Sequence, residues 1–243
     1  MLESYVAVDL EMTGLRAKTD KILEIGAVKV ENHQVTKSYQ RIVNPRIRIP
    51  EQVQELTGIT DAMAEKGVPE QEAVEGFFEF CEELPLVGHN ILFDYSFLKQ
   101  YAVNHKQSFE RNGIDTLRLS RKFLPDLEKK TLDYLCEYLK IERSQNHRAL
   151  EDASATQVLL EYLWENYGMQ QPEAFKAVPL IYRAKKQSPA TERQKRYLKE
   201  LAEYHKIEFD IDLGVLTKSE ASRRTDRILA QYGKIPQKQK ILE

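Results

Sequence analysis

The stretch Tyr5-Val-Ala-Val-Asp9-Leu-Glu11 decides both how the chain folds and where its chemistry sits. A strand points successive side chains to opposite faces. Val6, Val8 and Leu10 therefore share one face, and Asp9 and Glu11 project together from the other. Two like charges side by side in an apolar run repel each other unless a cation lies between them. Solvated acids at a frayed strand end would give the same pattern, so the pair alone leaves both readings open.

Outward from this stretch, Gly14 and the polar run 16–21 make a connection to two further runs rich in valine and isoleucine, Ile22–Val30 and Val35–Val43. After Pro50 the pattern turns helical. Pro69 opens Glu70–Glu83, where Val74, Phe77, Phe78 and Cys81 recur at helical spacing. A short apolar strand, Leu84–Gly88, precedes a helix Asp94–Asn104, and Ile114–Thr116 reads as a last strand. Thr131 caps a helix Leu132–Leu139, and a long helix runs from about Leu150 to Asn166. Three strands, then strands alternating with helices, predict an α/β fold: a mixed five-stranded sheet flanked by helices.

With 243 residues the chain is long enough for one large domain, or one medium domain and a small one. Its 42% hydrophobic and 30% charged residues exclude a disordered or fibrous protein. No apolar stretch approaches a membrane span, and no basic leader precedes the first strand. Cys81 and Cys136 stand far apart, without metal or disulfide spacing, and read as buried thiols in a reducing compartment. These features predict a soluble cytoplasmic protein with no membrane partner.

Charge divides the chain. Residues 1–179 hold 21 Lys+Arg against 29 Asp+Glu (21 less 29, or −8), and residues 180–243 hold 15 against 9 (+6). Pro172, Pro179 and Pro189 with Lys185 and Lys186 mark a linker. The predicted organisation is a catalytic domain over 1–168, a linker over 169–190 and a small basic all-helical module over 191–243. Thr191-Glu-Arg-Gln194 and Thr217-Lys-Ser-Glu220 both match the capping box that starts a helix. Their apolar stripes are Leu198, Leu201 and Ala202, then Ala221, Ile228 and Leu229. Arg193, Lys195, Arg196, Lys199, Arg223, Arg224 and Arg227 suit a polyanion, or equally a solvated helix face.

Three further residues are candidates for chemistry. Asp152 shares a helical stripe with Thr156, Leu159 and Leu163, so its carboxylate faces the core, where it needs a cation or a proton. Asp94 stands where a helix starts, and an N-capping aspartate would look the same. His147 lies five residues before Asp152, off that stripe, on the loop entering the helix. An imidazole on a loop suits general-base work, and is also common at any surface.

The wording around these residues carries more. Asp9-Leu-Glu11-Met-Thr13-Gly14, His89-Asn-Ile-Leu-Phe93-Asp94 and His147-Arg-Ala-Leu-Glu-Asp152 closely resemble, in order, the three motifs of the DEDDh exonucleases. That family includes the epsilon proofreading subunit of bacterial replicative polymerases. The resemblance covers residues from about 5 to 166. It implies a ribonuclease H-like fold and two divalent ions, Mg or Mn, held by Asp9, Glu11, Asp94 and Asp152. Asp9 would serve both ions, Asp94 would act partly through water, and His147 would be the general base. It also implies phosphodiester hydrolysis from the 3′ end of single-stranded or frayed nucleic acid, DNA before RNA, with release of nucleoside 5′-monophosphates. Hard divalent ions prefer carboxylate oxygen, which this set of four acids supplies.

Met12, Thr13, Gly14, Leu15, Leu56, Thr57, Asn90 and Phe93 are the substrate contacts this resemblance implies. Met12 replaces the first residue of the commoner Thr-Thr-Gly, and Thr57 stands where the family often carries histidine. A core role accounts for Phe93 equally well. Gln170–Phe175 only weakly resembles the clamp-binding peptides that follow some proofreading domains, because Glu173 stands where such peptides carry an aliphatic residue. A polymerase or other protein partner would dock on the C-terminal module. Two rivals remain: an exoribonuclease using the same motifs, and a non-catalytic nucleic-acid or polymerase-binding module on a decayed nuclease. The second predicts a lost motif residue, and all five are present.

Overall fold

The computed structural model describes residues 2–143, 147–207 and 212–236. The chain forms β1 (Ser4–Met12), β2 (Ile22–Glu31), β3 (Gln34–Asn44), α1 (Glu51–Thr57), α2 (Asp61–Glu65), β4 (Val68–Pro69), α3 (Glu70–Cys81), β5 (Leu86–Gly88) and α4 (Ile91–Asn104). Then come β6 (Asn112–Asp115), α5 (Thr116–Phe123), α6 (Leu132–Leu139), α7 (Ala149–Tyr167), β7 (Val178–Pro179), α8 (Glu192–Tyr204) and α9 (Lys218–Tyr232). The sheet has the order β4-β3-β2-β1-β5-β6-β7. β1 and β2 pair antiparallel, as do β2 and β3, whereas β5 runs parallel to both β1 and β6.

Five of these strands are the predicted ones; the sheet has seven because a two-residue strand is added at each edge. β4 lies parallel beside Val43–Asn44, and β7 lies antiparallel beside Asn112–Gly113. Two residues are too few to show a period, so sequence patterning cannot announce such strands.

The alternation read in β1 builds both layers. Val6, Val8 and Leu10 join Ile25 and Ala27 under α3 and α4, packed on Val74, Phe77, Tyr95 and Leu98. On the other face Tyr5, Ala7, Val28 and Val30 meet Leu159, Leu160 and Leu163 of α7. β1 is covered on both faces for most of its length, and its polar end emerges at Asp9 and Glu11, which keep partial exposure.

The stretch expected to be an open linker is only partly one. A 3-10 turn at Pro172–Phe175 drives Phe175 into the core, 1% exposed, where it stacks on Phe123 and meets Trp164 edge-on at 5.2 Å. Leu180 joins the opposite layer. Apolar side chains too large to leave in water tie this segment to the sheet. The chain accordingly divides later, into a unit of Met1–Pro45 with Ile49–Lys185 and a unit of Lys186–Glu243 with Arg46–Arg48.

In the second unit both capping boxes form, with Thr191 and Thr217 each accepting from the backbone of the fourth residue. An antiparallel bridge between Pro189 and Thr217 holds the two helix starts together over Ala190, Leu198, Leu216 and Ala221. Lys195, Arg196 and Lys199 each pair with a glutamate of the same helix. Both cysteines are buried free thiols. Among the described residues, no helix is long and apolar enough to cross a membrane.

Candidate active site

The antiparallel register of β1 and β2 sets Asp9 opposite Gly26 and Glu11 opposite Glu24. Opposite residues share a face, so these four lie together on the side that α7 covers. Gly26 is what lets α7 approach. A Cβ there would lie 2.1 Å from the backbone of Ala149 and Leu150 at the helix start. The first turn of α7 therefore rests directly on the strand and carries Asp152, 6% exposed, toward Glu11.

Asp94 comes from the first turn of α4, just beyond the end of β5. It is not the N-cap. Asn90 occupies that position with a left-handed backbone (φ 74°) and makes no side-chain capping bond. Asp94 is 4% exposed, and its Oδ1 accepts from the backbone N–H of Leu10 at 3.1 Å, which fixes it against the end of β1. His147 lies on the loop entering α7, also with a left-handed backbone (φ 55°), and its side chain is 37% exposed.

One carboxylate oxygen each from Glu11 and Asp152 and one imidazole nitrogen of His147 lie within 4.8 Å of one another. His147 was expected only as a base, and its ring nitrogen is also within reach of the acids. Burial drives the acids toward their neutral forms, and each carboxylate adds to the effect on its neighbours. Glu11 is pushed up to about 8, first by burial, then by Asp152, Glu24 and Asp94, against the pull of Arg148. Asp94 is pushed up to about 7 by burial, against the hydrogen bond from Leu10. Asp9 is raised well above the carboxylate range by burial, then by Asp94, Glu11, Asp152 and Glu24. Asp152 is raised by burial and drawn back by Arg143. Acids crowded into a poorly solvated site, with donors this close, suit a hard divalent cation, so the residues present fit the metal.

The sequence reading missed the polar groups that hold this cluster. Glu24 is fully buried and takes two bonds from Arg148, at 2.9 and 3.0 Å, one from the Ala149 N–H at 3.1 Å and one from Gln40 at 2.8 Å. It thereby pins the residue after His147 and the start of α7 to β2. A glutamate within the apolar run Ile22-Leu-Glu24-Ile was the available signal, since a charge in a central strand needs a partner. Arg143 contacts Asp152 at 2.6 Å and Asp133 at 2.7 Å. Nothing in its sequence setting marks it out.

The expected substrate contacts divide. Leu15 is 81% exposed beside Gly14, whose Cα backs onto the Asp20 carboxylate, and Leu56 and Asn90 are exposed as well. Thr13 is nearly buried and pairs with Lys21 through both its backbone N–H and its hydroxyl. Met12 and Phe93 are half-buried against the core, with Phe93 edge-on to Phe97 at 5.6 Å. Thr57 differs from these in being enclosed. It is 1% exposed, and its hydroxyl bonds Val53 O and Ile59 N–H to close the end of α1.

Residues 6–160 match the exonuclease family typified by RNase T. The chain is 34% identical over 171 residues to the DNA polymerase III epsilon subunit of Aquifex aeolicus, covering 68% of this chain and 85% of that one. It is 36% identical over 160 residues to the PolC-type DNA polymerase III of Clostridium perfringens, covering 66% of this chain but spanning only 11% of that far longer relative. Among solved structures, exonuclease X in complex with 5′ overhanging duplex DNA superposes with a TM-score of 0.55 at 25% identity, over 68% of this chain and 93% of that one. The nuclease domain of 3′hExo, a DEDDh family member bound to rAMP, superposes with a TM-score of 0.59 at 15% identity, over 72% of this chain and 96% of that one, a likeness of fold. The sheet and its flanking helices are those of the ribonuclease H-like exonuclease fold.

Proposed function

The chain belongs to the DEDDh 3′–5′ exonuclease family, and on that premise we propose that it hydrolyses DNA from the 3′ end, one nucleotide at a time, in proofreading or repair. The observation that carries this reading is the convergence of acids from three separate elements, Asp9 and Glu11 on β1, Asp94 on α4 and Asp152 on α7, beside His147. The preference for DNA over RNA rests on the names of the relatives, a PolC-type DNA polymerase III and a DNA polymerase III epsilon subunit.

Asp9, Glu11, Asp94 and Asp152 would hold two divalent ions, Mg or Mn. When bound, these would orient water and neutralise charge on the phosphate and the leaving oxygen. The remaining steps fall to the chain's own groups. His147, with its Nε2 3.8 Å from the Asp133 carboxylate and its side chain 37% exposed, takes the proton from the attacking water. Water oxygen bonds to phosphorus, the bond to the 3′-oxygen breaks, and a nucleoside 5′-monophosphate leaves. Leu15 and Phe93 flank the terminal base.

The helical unit 186–243 serves a protein partner, such as a polymerase, in preference to the strand. Lys195, Arg196 and Lys199 already meet glutamates within α8, which reduces the charge available to phosphates. The test of the activity is degradation of 3′-blocked and free 3′-end DNA beside RNA of the same sequence, with magnesium. Mononucleotides from free DNA ends support the reading. Faster loss of RNA overturns the substrate preference, and no product from either overturns the activity.

A further inference from the structure

Arg143 is the least exposed cation at the site, with 6% of its side chain accessible, and it bridges two carboxylates. One Nη donates to Asp152 Oδ1 at 2.6 Å, and the other donates to Asp133 Oδ1 at 2.7 Å. The second oxygen of Asp133 lies 3.8 Å from His147 Nε2. A single guanidinium thus links the first turn of α7, the first turn of α6 and the loop histidine. Burying an arginine between two acids costs desolvation that the pairing does no more than offset, so stability alone is a weak reason for it. The planar fork reaches two acceptors in fixed directions, which a lysine cannot do.

We propose that Arg143 is a positioning residue for the metal site: it holds Asp152 through one oxygen beside Glu11 and His147, and through Asp133 ties that carboxylate to the histidine. The proposal rests on the exonuclease reading and adds to it the residue that aims its third acid. Outer partners of metal-binding carboxylates fix the orientation of the ligand, and losing one weakens metal binding even though a positive charge is removed from the site.

The experiment is calorimetric titration of Mn²⁺ into the full-length wild type, R143A, R143K and D133A, alongside hydrolysis of end-labelled DNA. R143A is expected to bind Mn²⁺ about 10–100-fold more weakly, with R143K still about tenfold weaker, as for other outer partners of metal ligands. D133A, whose side chain is 47% exposed, removes the tie to His147 and one acceptor of Arg143 but leaves the Arg143–Asp152 contact itself. It is expected to keep its Mn²⁺ affinity within about threefold while kcat falls about tenfold and KM holds, the lower end of the same range. Binding by R143A that is unchanged or tighter overturns the proposal, since Arg143 would then be inert or a competitor of the metal. If R143A does not fold, R143K decides alone, and wild-type affinity in R143K overturns the proposal. A wild type that neither binds Mn²⁺ nor cuts DNA sinks the exonuclease reading, and this proposal with it. A wild type that does both, beside an R143A that binds as well, sinks this proposal only.

Discussion

Replacing Gly26 by alanine adds one methyl group where α7 meets the sheet, outside all three motifs. The new Cβ would stand 2.1 Å from Ala149 C and Leu150 N, against the 3.4 Å at which ordinary contact begins. The obstructing atoms are backbone, so no rotamer relieves the clash and the helix start must retreat by about 1.3 Å, the difference of those distances. Asp152 sits in the same first turn and moves with it. Overpacking of this kind costs about 1–3 kcal/mol. At roughly 2–4 °C per kcal/mol for a domain of this size, the melting temperature falls by about 2–12 °C. A misplacement of about 1 Å at a catalytic group costs roughly 10²-fold in rate. A melting curve and an end-labelled exonuclease assay on the same preparation separate the two effects, with activity read well below the transition. A G26A variant that melts with the wild type and retains its rate within about threefold would refute the claim that this contact places Asp152.

Three other outcomes are expected. In chelator the folded carboxylates of Glu11, Asp94, Asp9 and Asp152 all have pKa values above those of the unfolded chain, so the folded state binds more protons in the interval between. This contribution is fully present below about pH 4 and is lost as pH rises through the folded values of about 7 and about 8, so the apo protein's melting temperature should fall over that window and recover on adding Mn²⁺ at the alkaline end; a flat profile in chelator contradicts it. Leu15→Ala removes an 81% exposed side chain, and should raise KM about fivefold, from ~1 kcal/mol of lost apolar contact, with no change in melting temperature; an unchanged KM takes Leu15 out of the substrate's path. Neutralising Lys195, Arg196 and Lys199 together to glutamine should leave the slope of log K against log salt for DNA binding unchanged, and a slope flatter by about one or more phosphate contacts would assign α8 to the strand.

What could be read from the chain beforehand follows the length of each signal. The alternation over Tyr5–Glu11 covers most of β1, so the two faces and the side on which Asp9 and Glu11 emerge were legible. Asp152 was legible because a carboxylate on an apolar helical stripe is costly wherever the stripe is buried. Asp94 was recognised through its motif, while its local setting left N-capping open as an alternative. Its carboxylate is used by Leu10, 84 residues away, and a left-handed Asn90 starts the helix instead. Glu24 and Arg143 act through partners 124 and 9 residues away, contacts that exist only once the sheet and α7 have assembled. Phe175 sits among prolines that signal a linker, and only the cavity beside Phe123 and Trp164 makes it core.

The central claim is that Asp9, Glu11, Asp94 and Asp152 form one metal-dependent hydrolytic site. It is tested most directly by following 5′-labelled single-stranded DNA with the wild type and with D152A, in magnesium and in chelator. The account predicts progressive shortening from the 3′ end and release of 5′-mononucleotides by the wild type in magnesium only, with D152A inactive under both conditions. Undiminished shortening by D152A, or by the wild type in chelator, would contradict it.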